Sequence, residues 1–125
     1  MLEDESKVKI TCHVKIIAKP GKVSELLDAH AVCANESRKE PGCEYYEIIQ
    51  NIANPLLITL VEKFSNYDAF KTHFETPAIK HFIDHLQSKL VDNISNSLHV
   101  TQIDCNGSRW DGKAEDLSYR TEVQQ

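Results

Sequence analysis

Two titratable side chains in the middle of the chain have apolar neighbours, and they are the first candidates for chemistry. His73 follows Ala69 and Phe70 at helical spacing and is followed by Phe74. A histidine at the edge of such an apolar face is either a hydrogen-bonded core residue or a residue that opens into a pocket, and the core role is the commoner one. In a pocket, a histidine can act as a general base or hydrogen-bond a substrate.

Glu62 is the second candidate, because it shares one face of a predicted strand with Leu60 and Phe64. A carboxylate in such surroundings must be ion-paired or hydrogen-bonded, or its pKa rises. The structural alternative is a salt bridge to a lysine or arginine, such as Arg38, or a bond to a backbone amide of the following turn. The functional alternative is a pocket acid or base, or a group that orients His73.

Other groupings of reactive residues are weaker. His81 and His85 are four residues apart, but Phe82 stands where zinc proteases have glutamate. We interpret them as a solvated pair rather than a metal site, although His73 and Asp84 are close in sequence. The chain has no glycine-rich phosphate loop, no GxSxG sequence, and no flavin or nicotinamide fingerprint. We therefore expect no bound metal and no cofactor.

The cysteines favour reduced thiols over a disulfide framework. Cys12, Cys33, Cys43 and Cys105 are irregularly spaced and form no CxxC pair. Residues 1–5 are acidic rather than basic, unlike a secretory or transit signal, so we expect a cytosolic protein. Thiols stay reduced in that compartment. Three of the four cysteines lie in apolar patterns, and Cys105, in a polar tail, is expected to be the most reactive.

Composition narrows the class of protein further. The 125 residues fit one domain, and 41% hydrophobic residues with 26% charged residues support a packed core. The formal net charge of -5 argues against nucleic acid as a main partner, since neutralising phosphates needs a basic patch. The apolar runs are too short and too interrupted to cross a bilayer, so we expect no membrane partner.

The first half of the chain contains patterns for a strand, a helix and another strand. Residues 8–16 alternate between apolar and polar, which predicts a half-buried strand that Pro20-Gly21 terminates. Apolar residues at helical spacing follow over residues 23–34. Residues 43–50 are rich in β-favouring side chains and predict the second strand.

The second half contains a strand, two helices and a final strand. Residues 56–64 predict the third strand, and Asn66 is a plausible cap for a short helix that ends near Phe74. Thr76-Pro77 marks the start of a longer helix. The apolar residues of this helix are Ile79, Phe82, Ile83, Leu86, Leu90, Val91 and Ile94, and residues 98–103 predict a last short strand.

The resulting order is βαββαβ, which predicts an α+β, ferredoxin-like domain over residues 8–103. Residues 1–7 are expected to be frayed, and residues 104–125 form a polar C-terminal extension. The third strand is apolar on both faces, and one helical layer can cover only one of them. A second copy of the same sheet is the simplest cover for the other face, so the sequence predicts a homodimer by sheet packing.

Five short motifs stand in order along the chain. They are Ala18-Lys19-Pro20-Gly21-Lys22, Glu40-Pro41-Gly42-Cys43 with Tyr46, Glu62-Lys63-Phe64, Tyr67-Asp68-Ala69-Phe70-Lys71-Thr72-His73, and Thr76-Pro77. In this order and spacing, the chain resembles the antibiotic biosynthesis monooxygenase domain family over about residues 8–103. The resemblance implies a dimeric ferredoxin-like α/β barrel. It also implies that His73 lies near the mouth of a pocket, where it can bind or deprotonate a phenolic substrate.

The resemblance also assigns roles to neighbouring positions. Glu62 stands where the family often has a glutamate, and Phe64, Tyr46 and Phe70 are expected to line the substrate cavity. For Tyr46, ordinary cross-strand packing is the simpler interpretation. The haem-degrading branch has a tryptophan at the position of Phe64 and an asparagine near His13 or Val14, and this chain has neither. Haem degradation is therefore disfavoured.

Two classes of function follow from these residues. The first is a cofactor-independent monooxygenase or related oxidoreductase acting on a small phenolic, quinol or anthrone-like molecule, with catalytic His73 and Glu62. A non-redox isomerase with the same site fits as well. The second class is a non-catalytic module for ligand binding or dimerisation. If His73 and Glu62 point into a continuous pocket, catalysis is favoured. If they are salt-bridged or solvent-facing and core side chains fill the pocket, the module is favoured.

Overall fold

The computed structural model describes residues 8–100, which form four strands and a helical layer. The elements in chain order are β1 (Ile10–Ala18), α1 (Val23–Ser37), β2 (Cys43–Gln50), β3 (Leu57–Phe64), α2 (Tyr67–His73), α3 (Pro77–His81), a π-helical turn (Phe82–Leu86), α4 (Gln87–Leu90) and β4 (Val91–Val100). The predicted βαββαβ order is confirmed, since α3, the π-helical turn and α4 follow one another without a break.

The strands form one antiparallel sheet in the order β2-β3-β1-β4. In β1, residues on one face are buried and the alternate residues are half-buried or exposed, as the alternation predicts. The predicted bounds were two residues early, because the strand runs from Ile10 to Ala18 rather than over residues 8–16. The bounds predicted for β2 are confirmed, and β3 begins one residue later than predicted.

The core lies between one sheet face and the helical layer. Ile10, Ile16 and Ile58 of the sheet are fully buried there, with Leu26 of α1 and Phe70 of α2. The opposite side chains of β3 are Leu57, Thr59, Val61 and Lys63, and all four are half-buried. Both faces of β3 thus carry apolar side chains, as predicted, but only one face packs into the main core.

The last helix and strand differ from the prediction. Val91 and Ile94 continue the helical apolar spacing, yet the helix ends at Leu90 and both residues belong to β4. β4 pairs along the whole length of β1, from Ile10 opposite Val100 to Ala18 opposite Val91. Pairing with a strand already in the sheet outweighs the local periodicity, which is a weak determinant in a short segment. Strand residues predicted at 101–103 lie outside the described range.

The backbone amides in the first turns of α2 and α3 find hydrogen-bond acceptors in two different ways. Asn66 caps α2 as predicted, because its Oδ1 accepts a hydrogen bond from the Ala69 amide at 2.8 Å. Thr76 stands at the cap position of α3, but its hydroxyl donates to the His73 carbonyl at 2.8 Å. The free Ala78 amide donates instead to Glu36 Oε1 of α1 at 2.7 Å. These bonds tie the end of α2 and the start of α3 to α1.

No helix within residues 8–100 is long and apolar enough to cross a membrane. The expected C-terminal extension, with Cys105, lies outside the described residues, as do residues 1–7.

Candidate active site

The site begins at an irregularity in β2. Cys43 is opposite Phe64 and Tyr45 is opposite Lys63, so Glu44 is an extra residue in the ladder. A bulge of this kind changes which face the following side chains occupy. It places Tyr46 opposite Glu62, on the face that packs against the helices. Both residues are buried, with exposed fractions of 1% and 3%.

His73, at the end of α2, contacts acidic groups through both ring nitrogens. Its Nε2 lies 3.4 Å from Glu62 Oε1, and its Nδ1 lies 3.2 Å from Glu40 Oε2. The Nδ1 atom is also 3.4 Å from the Ser37 hydroxyl at the end of α1. The imidazole is 1% exposed. It therefore joins a fully buried carboxylate, Glu62, to a second carboxylate, Glu40, whose side chain keeps 14% exposure.

The Glu40-Pro41-Gly42-Cys43 motif positions this second carboxylate. The Gly42 carbonyl accepts hydrogen bonds from the Ser65 amide at 2.8 Å and the Ser65 hydroxyl at 3.1 Å. A Cβ atom at Gly42 would lie only 2.3 Å from the Ala69 Cβ of α2. Glycine is thus required because the turn approaches α2 closely, and this approach brings Glu40 within reach of His73.

Burial controls the protonation of Glu62. Desolvation is the main cause that raises its pKa to about 7, and the nearby Glu40 adds to the rise, while His73 opposes it. Glu62 is therefore poised to gain or lose a proton near neutral pH, where a general base is most effective. Burial beside Glu62 also raises the pKa of Tyr46, so this phenol stays protonated.

Aromatic rings enclose the imidazole. The ring of Phe64 lies 5.0 Å from that of His73, and the ring of Phe74 lies 5.2 Å away. Tyr46 is 6.0 Å from the imidazole. Phe70 packs edge-on against Phe64 at 5.7 Å and so supports this wall from behind. The predicted site residues are thus brought together, although Phe64 and Phe70 act as packing around His73 rather than as lining of the cavity described below.

Arg38, one candidate partner for Glu62, has a different role. Its Nε and Nη2 atoms donate to the Tyr46 carbonyl at 3.1 Å and 2.5 Å. This bond ties the end of α1 to β2 on the same side of the sheet. The buried partner of Glu62 is His73 instead.

A cavity of about 60 Å³ lies beside this pair, between the sheet and the helical layer. Its polar lining includes Glu62, His73, Tyr46 and His30, and the rest is mainly apolar. The volume is far below the roughly 150 Å³ that accommodates benzene in an engineered protein cavity. The cavity is thus too small for an aromatic ring, which can enter only when one of the walls moves.

The wall between the cavity and the surface is formed by the π-helical turn, the start of α4 and β4. Ile83, Gln87 and Ile94 line the cavity and also line an open surface groove of about 440 Å³. Ile83 keeps 42% exposure, so it is loosely packed for an apolar side chain. π-Helical turns inside helices are frequent at functional sites. These three residues therefore separate the buried cavity from the groove.

His30, on α1, is the residue that sequence reasoning did not identify as functional. It is 3% exposed, packs its ring 4.4 Å from that of Phe82, and lines the cavity. Neither ring nitrogen has a hydrogen-bond partner among the described residues. Burial lowers its pKa to about 4, so the ring is neutral at physiological pH. The sequence did contain a signal for a buried His30, because this residue lies on the predicted apolar face of α1.

Other candidate residues lie away from this site. His81 and His85 are exposed, with ring centroids 5.1 Å apart, and no group of three or more potential metal ligands occurs within residues 8–100. Cys12, Cys33 and Cys43 form no disulfide with one another, and burial raises the pKa of Cys33 to about 12 and that of Cys43 to about 11. Neither Cys33 nor Cys43 has the low pKa of a nucleophilic cysteine.

Comparison with known proteins agrees with the fold. The family model described as antibiotic biosynthesis monooxygenase matches residues 9–85. The chain is similar to a crystal structure of a protein from Shewanella oneidensis, with 28% identity and a TM-score of 0.73 over 81% of this chain and 95% of the other. A conserved protein from Methanosarcina mazei Go1 is 25% identical, with a TM-score of 0.67 over 78% and 94%.

A protein from Pseudomonas aeruginosa shares the fold at 21% identity, with a TM-score of 0.72 over 78% of this chain and 98% of the other. A search of curated proteins finds no match to this chain.

Proposed function

Since the chain belongs to the antibiotic biosynthesis monooxygenase family, we propose that it is a cofactor-independent monooxygenase acting on a small phenolic or quinol substrate. The observation that carries the proposal is the buried Glu62–His73–Glu40 series beside a largely apolar cavity. Such a site can deprotonate a phenol in surroundings from which most water is excluded. Membership of the family supports a monooxygenase-like role, and the substrate class is our own inference.

The proton path assigns a role to each acidic residue. Glu62 lines the cavity and has a pKa near neutrality, so it takes the phenolic proton. His73 accepts that proton through Nε2 and releases another from Nδ1 to Glu40. Glu40 is partly exposed and passes the proton to solvent. This arrangement makes His73 a relay between the two carboxylates, because both of its ring nitrogens already face protein groups.

The redox step needs dioxygen as the second substrate. The phenolate transfers one electron to dioxygen, which gives a phenoxyl radical and superoxide. These recombine by forming a bond between a ring carbon and oxygen, and the resulting peroxide takes up a proton. The ring carbon then loses its hydrogen as a proton while the O–O bond breaks, which leaves one oxygen atom on the ring as a quinone carbonyl. The other oxygen leaves as hydroxide, which takes up that proton and becomes water. The sum is phenol plus dioxygen to quinone plus water, so no external reductant is required.

The cavity size favours a substrate with one ring. Because even benzene exceeds the roughly 60 Å³ available, a single ring already requires displacement of Ile83 or Gln87. An anthrone-like molecule with three fused rings requires a much larger movement. We therefore rank single-ring phenols and quinols above anthrones.

Family membership and the half-buried outer face of β3 together support a homodimer. Leu57, Thr59 and Val61 offer a central apolar strip on that face, and sheet-to-sheet packing would remove it from water. In this arrangement the active sites lie on the helical side of each sheet, away from the interface.

The proposal is tested by oxygen uptake with a panel of hydroquinones, catechols and anthrones, in parallel with Glu62→Gln and His73→Ala. We expect uptake above the uncatalysed rate and a loss of roughly 100-fold or more in each variant, as is usual when an acid–base group is removed. Uptake that is equal in the three proteins would contradict the proposal.

A non-redox isomerase is the second candidate, because the same base beside the same cavity can abstract a proton next to a carbonyl group. The two activities differ in one observable. An isomerase exchanges deuterium from solvent into its substrate without consuming dioxygen, whereas the monooxygenase consumes one dioxygen per product.

A further inference from the structure

We propose that His30 is a second ligand-binding residue, which hydrogen-bonds an oxygen atom of the substrate at the end of the cavity remote from His73. This inference rests on the function proposed above and deepens it, because it specifies a second polar group on the substrate. The assignment comes from the position of His30 in the cavity and from the absence of a partner for its ring within residues 8–100.

A purely structural role for His30 would carry a cost in folding free energy. A buried polar side chain without a hydrogen bond costs free energy that an apolar side chain of similar size would not. The imidazole packs against the apolar Phe82, whose ring lies 4.4 Å away and offers no hydrogen bond. Both ring nitrogens are buried and unpartnered within residues 8–100, and the side chain lines the cavity. A ligand that reaches His30 would supply the missing hydrogen bonds.

The position of His30 on α1 sets the distance between the two polar ends of the cavity. Ser37 lies beside His73 Nδ1, and His30 is seven residues earlier on the same buried face of the helix. Seven residues correspond to about 10 Å along a helix axis. Because His30 is displaced from the His73 end of α1 by this distance, a ligand with oxygens at opposite ends of its skeleton fits the proposal better than one with adjacent oxygens.

The charge of the site narrows the ligand class. Glu62 and Glu40 are acidic, and the ring of His30 is neutral at physiological pH. Neither wall offers a fixed positive charge, so an anionic ligand such as a phosphate or carboxylate is disfavoured. The class that remains is a small uncharged molecule with an apolar body, one ionisable hydroxyl for Glu62, and a second hydroxyl or carbonyl oxygen for His30.

The test compares two ligands of nearly equal shape, 1,4-dihydroxybenzene and 4-methylphenol, by NMR titration without dioxygen. The first carries the second oxygen and the other has a methyl group in its place. We expect the wild-type protein to bind 1,4-dihydroxybenzene about fivefold more tightly, the effect of one net hydrogen bond. In His30→Leu this preference is expected to vanish or reverse, while His30→Asn, which keeps a donor and an acceptor, retains part of it.

A matched control and a stability measurement separate binding from packing. His81→Leu makes the same chemical change at an exposed position and should leave the preference unchanged. The unliganded His30→Leu protein should unfold at a higher temperature than wild type, because an unpartnered buried polar group has been removed.

Three results would overturn the inference: a preference that survives in His30→Leu, a wild-type protein that binds neither ligand or binds both equally, or a His30→Leu protein that fails to fold while His30→Asn shows no preference. Because the titration excludes dioxygen, a preference that depends on His30 in a protein without oxygen uptake would contradict the monooxygenase alone.

Discussion

Burial of Glu62 has opposite effects on the stability of the fold and on the proposed catalysis. Its carboxyl group is desolvated and its pKa rises to about 7 from an ordinary value of 4.5. Between these values the folded protein holds a proton that the unfolded chain has lost, so the free energy of unfolding falls as the pH rises through this range. The ionised form that destabilises the fold is also the form that can accept a proton from the substrate.

This coupling predicts a specific behaviour of Glu62→Gln. Wild-type protein should lose stability between about pH 5 and pH 8, and the substitution should remove most of that loss, because glutamine does not titrate. Oxygen uptake by the wild type should rise over the same pH range. The measurements are chemical denaturation and initial rates at several pH values, with Glu75→Gln as a control at an exposed carboxylate. A pH dependence of stability that is the same in Glu62→Gln and wild type would contradict the assignment.

The sequence predicted the residues of the site better than their roles. His73 and Glu62 were recognisable because a charged or titratable side chain interrupts an apolar pattern. Their mutual contact depends on how α2 packs on β3, which no local pattern contains. Glu40 was visible only as part of a turn motif, and its contact with His73 spans 33 positions. His30 was not predicted as a site residue, since a histidine on an apolar helix face is ordinarily a partnered core residue.

At the level of elements, the turn between α1 and β2 holds α2 in place. Gly42 lies against Ala69 with no room for a side chain. We predict that Gly42→Ala displaces α2, lowers the free energy of unfolding by about 1–3 kcal/mol, and reduces oxygen uptake further than this loss of stability explains. The reason is that the displacement separates Glu40 from His73. Denaturation and initial rates measure the two effects.

Two further variants control this experiment. Gly21→Ala introduces backbone strain at a φ of +79° but no close contact, so it should cost stability without affecting the rate of the folded protein. The double variant Gly42→Ala with Ala69→Gly restores the space and should recover activity. Full activity in Gly42→Ala alone would show that the close approach is irrelevant to the site.

The π-helical turn makes a prediction about substrate size. Ile83 separates the cavity from the surface groove and is already 42% exposed. Ile83→Ala should therefore cost little stability and raise kcat/KM for three-ring anthrones, relative to hydroquinone, by about tenfold. Val32→Ala, at an apolar residue with 61% exposure, is the matched control and should leave this ratio unchanged. An unchanged ratio in Ile83→Ala would place the access route elsewhere.

The helices and strands were largely predictable from the sequence. The errors lie where tertiary contacts determine the boundary or the register of an element. The bounds of β2 and the cap of α2 follow from strong local signals. The boundary between α4 and β4 does not, because Val91 and Ile94 fit both a helical stripe and a strand. Only pairing with β1 resolves that ambiguity. The bulge at Glu44, which turns Tyr46 towards Glu62, likewise depends on the register with β3.

At the scale of the whole molecule, the outer face of the sheet should form the contact between two copies. Val61 lies on β3 in the middle of that face. We predict that the wild-type protein is a dimer at micromolar concentration and that Val61→Lys shifts it towards monomer, because burying unpaired ammonium groups at the interface is unfavourable. Light scattering measures the mass, and Val32→Lys, on α1, serves as control. A monomeric wild type would contradict sheet packing.

In the proposed reaction, Glu62 initiates transfer of one oxygen atom from dioxygen to the substrate, and isotope labelling follows that atom. The protein reacts with 1,4-dihydroxybenzene under ¹⁸O₂, and the product is reduced at once so that its new oxygen cannot exchange with water. We predict one ¹⁸O atom in the product and the other in water, at a rate that falls about 100-fold or more in Glu62→Gln. Product without ¹⁸O, or labelled product at an equal rate in Glu62→Gln, would contradict the account.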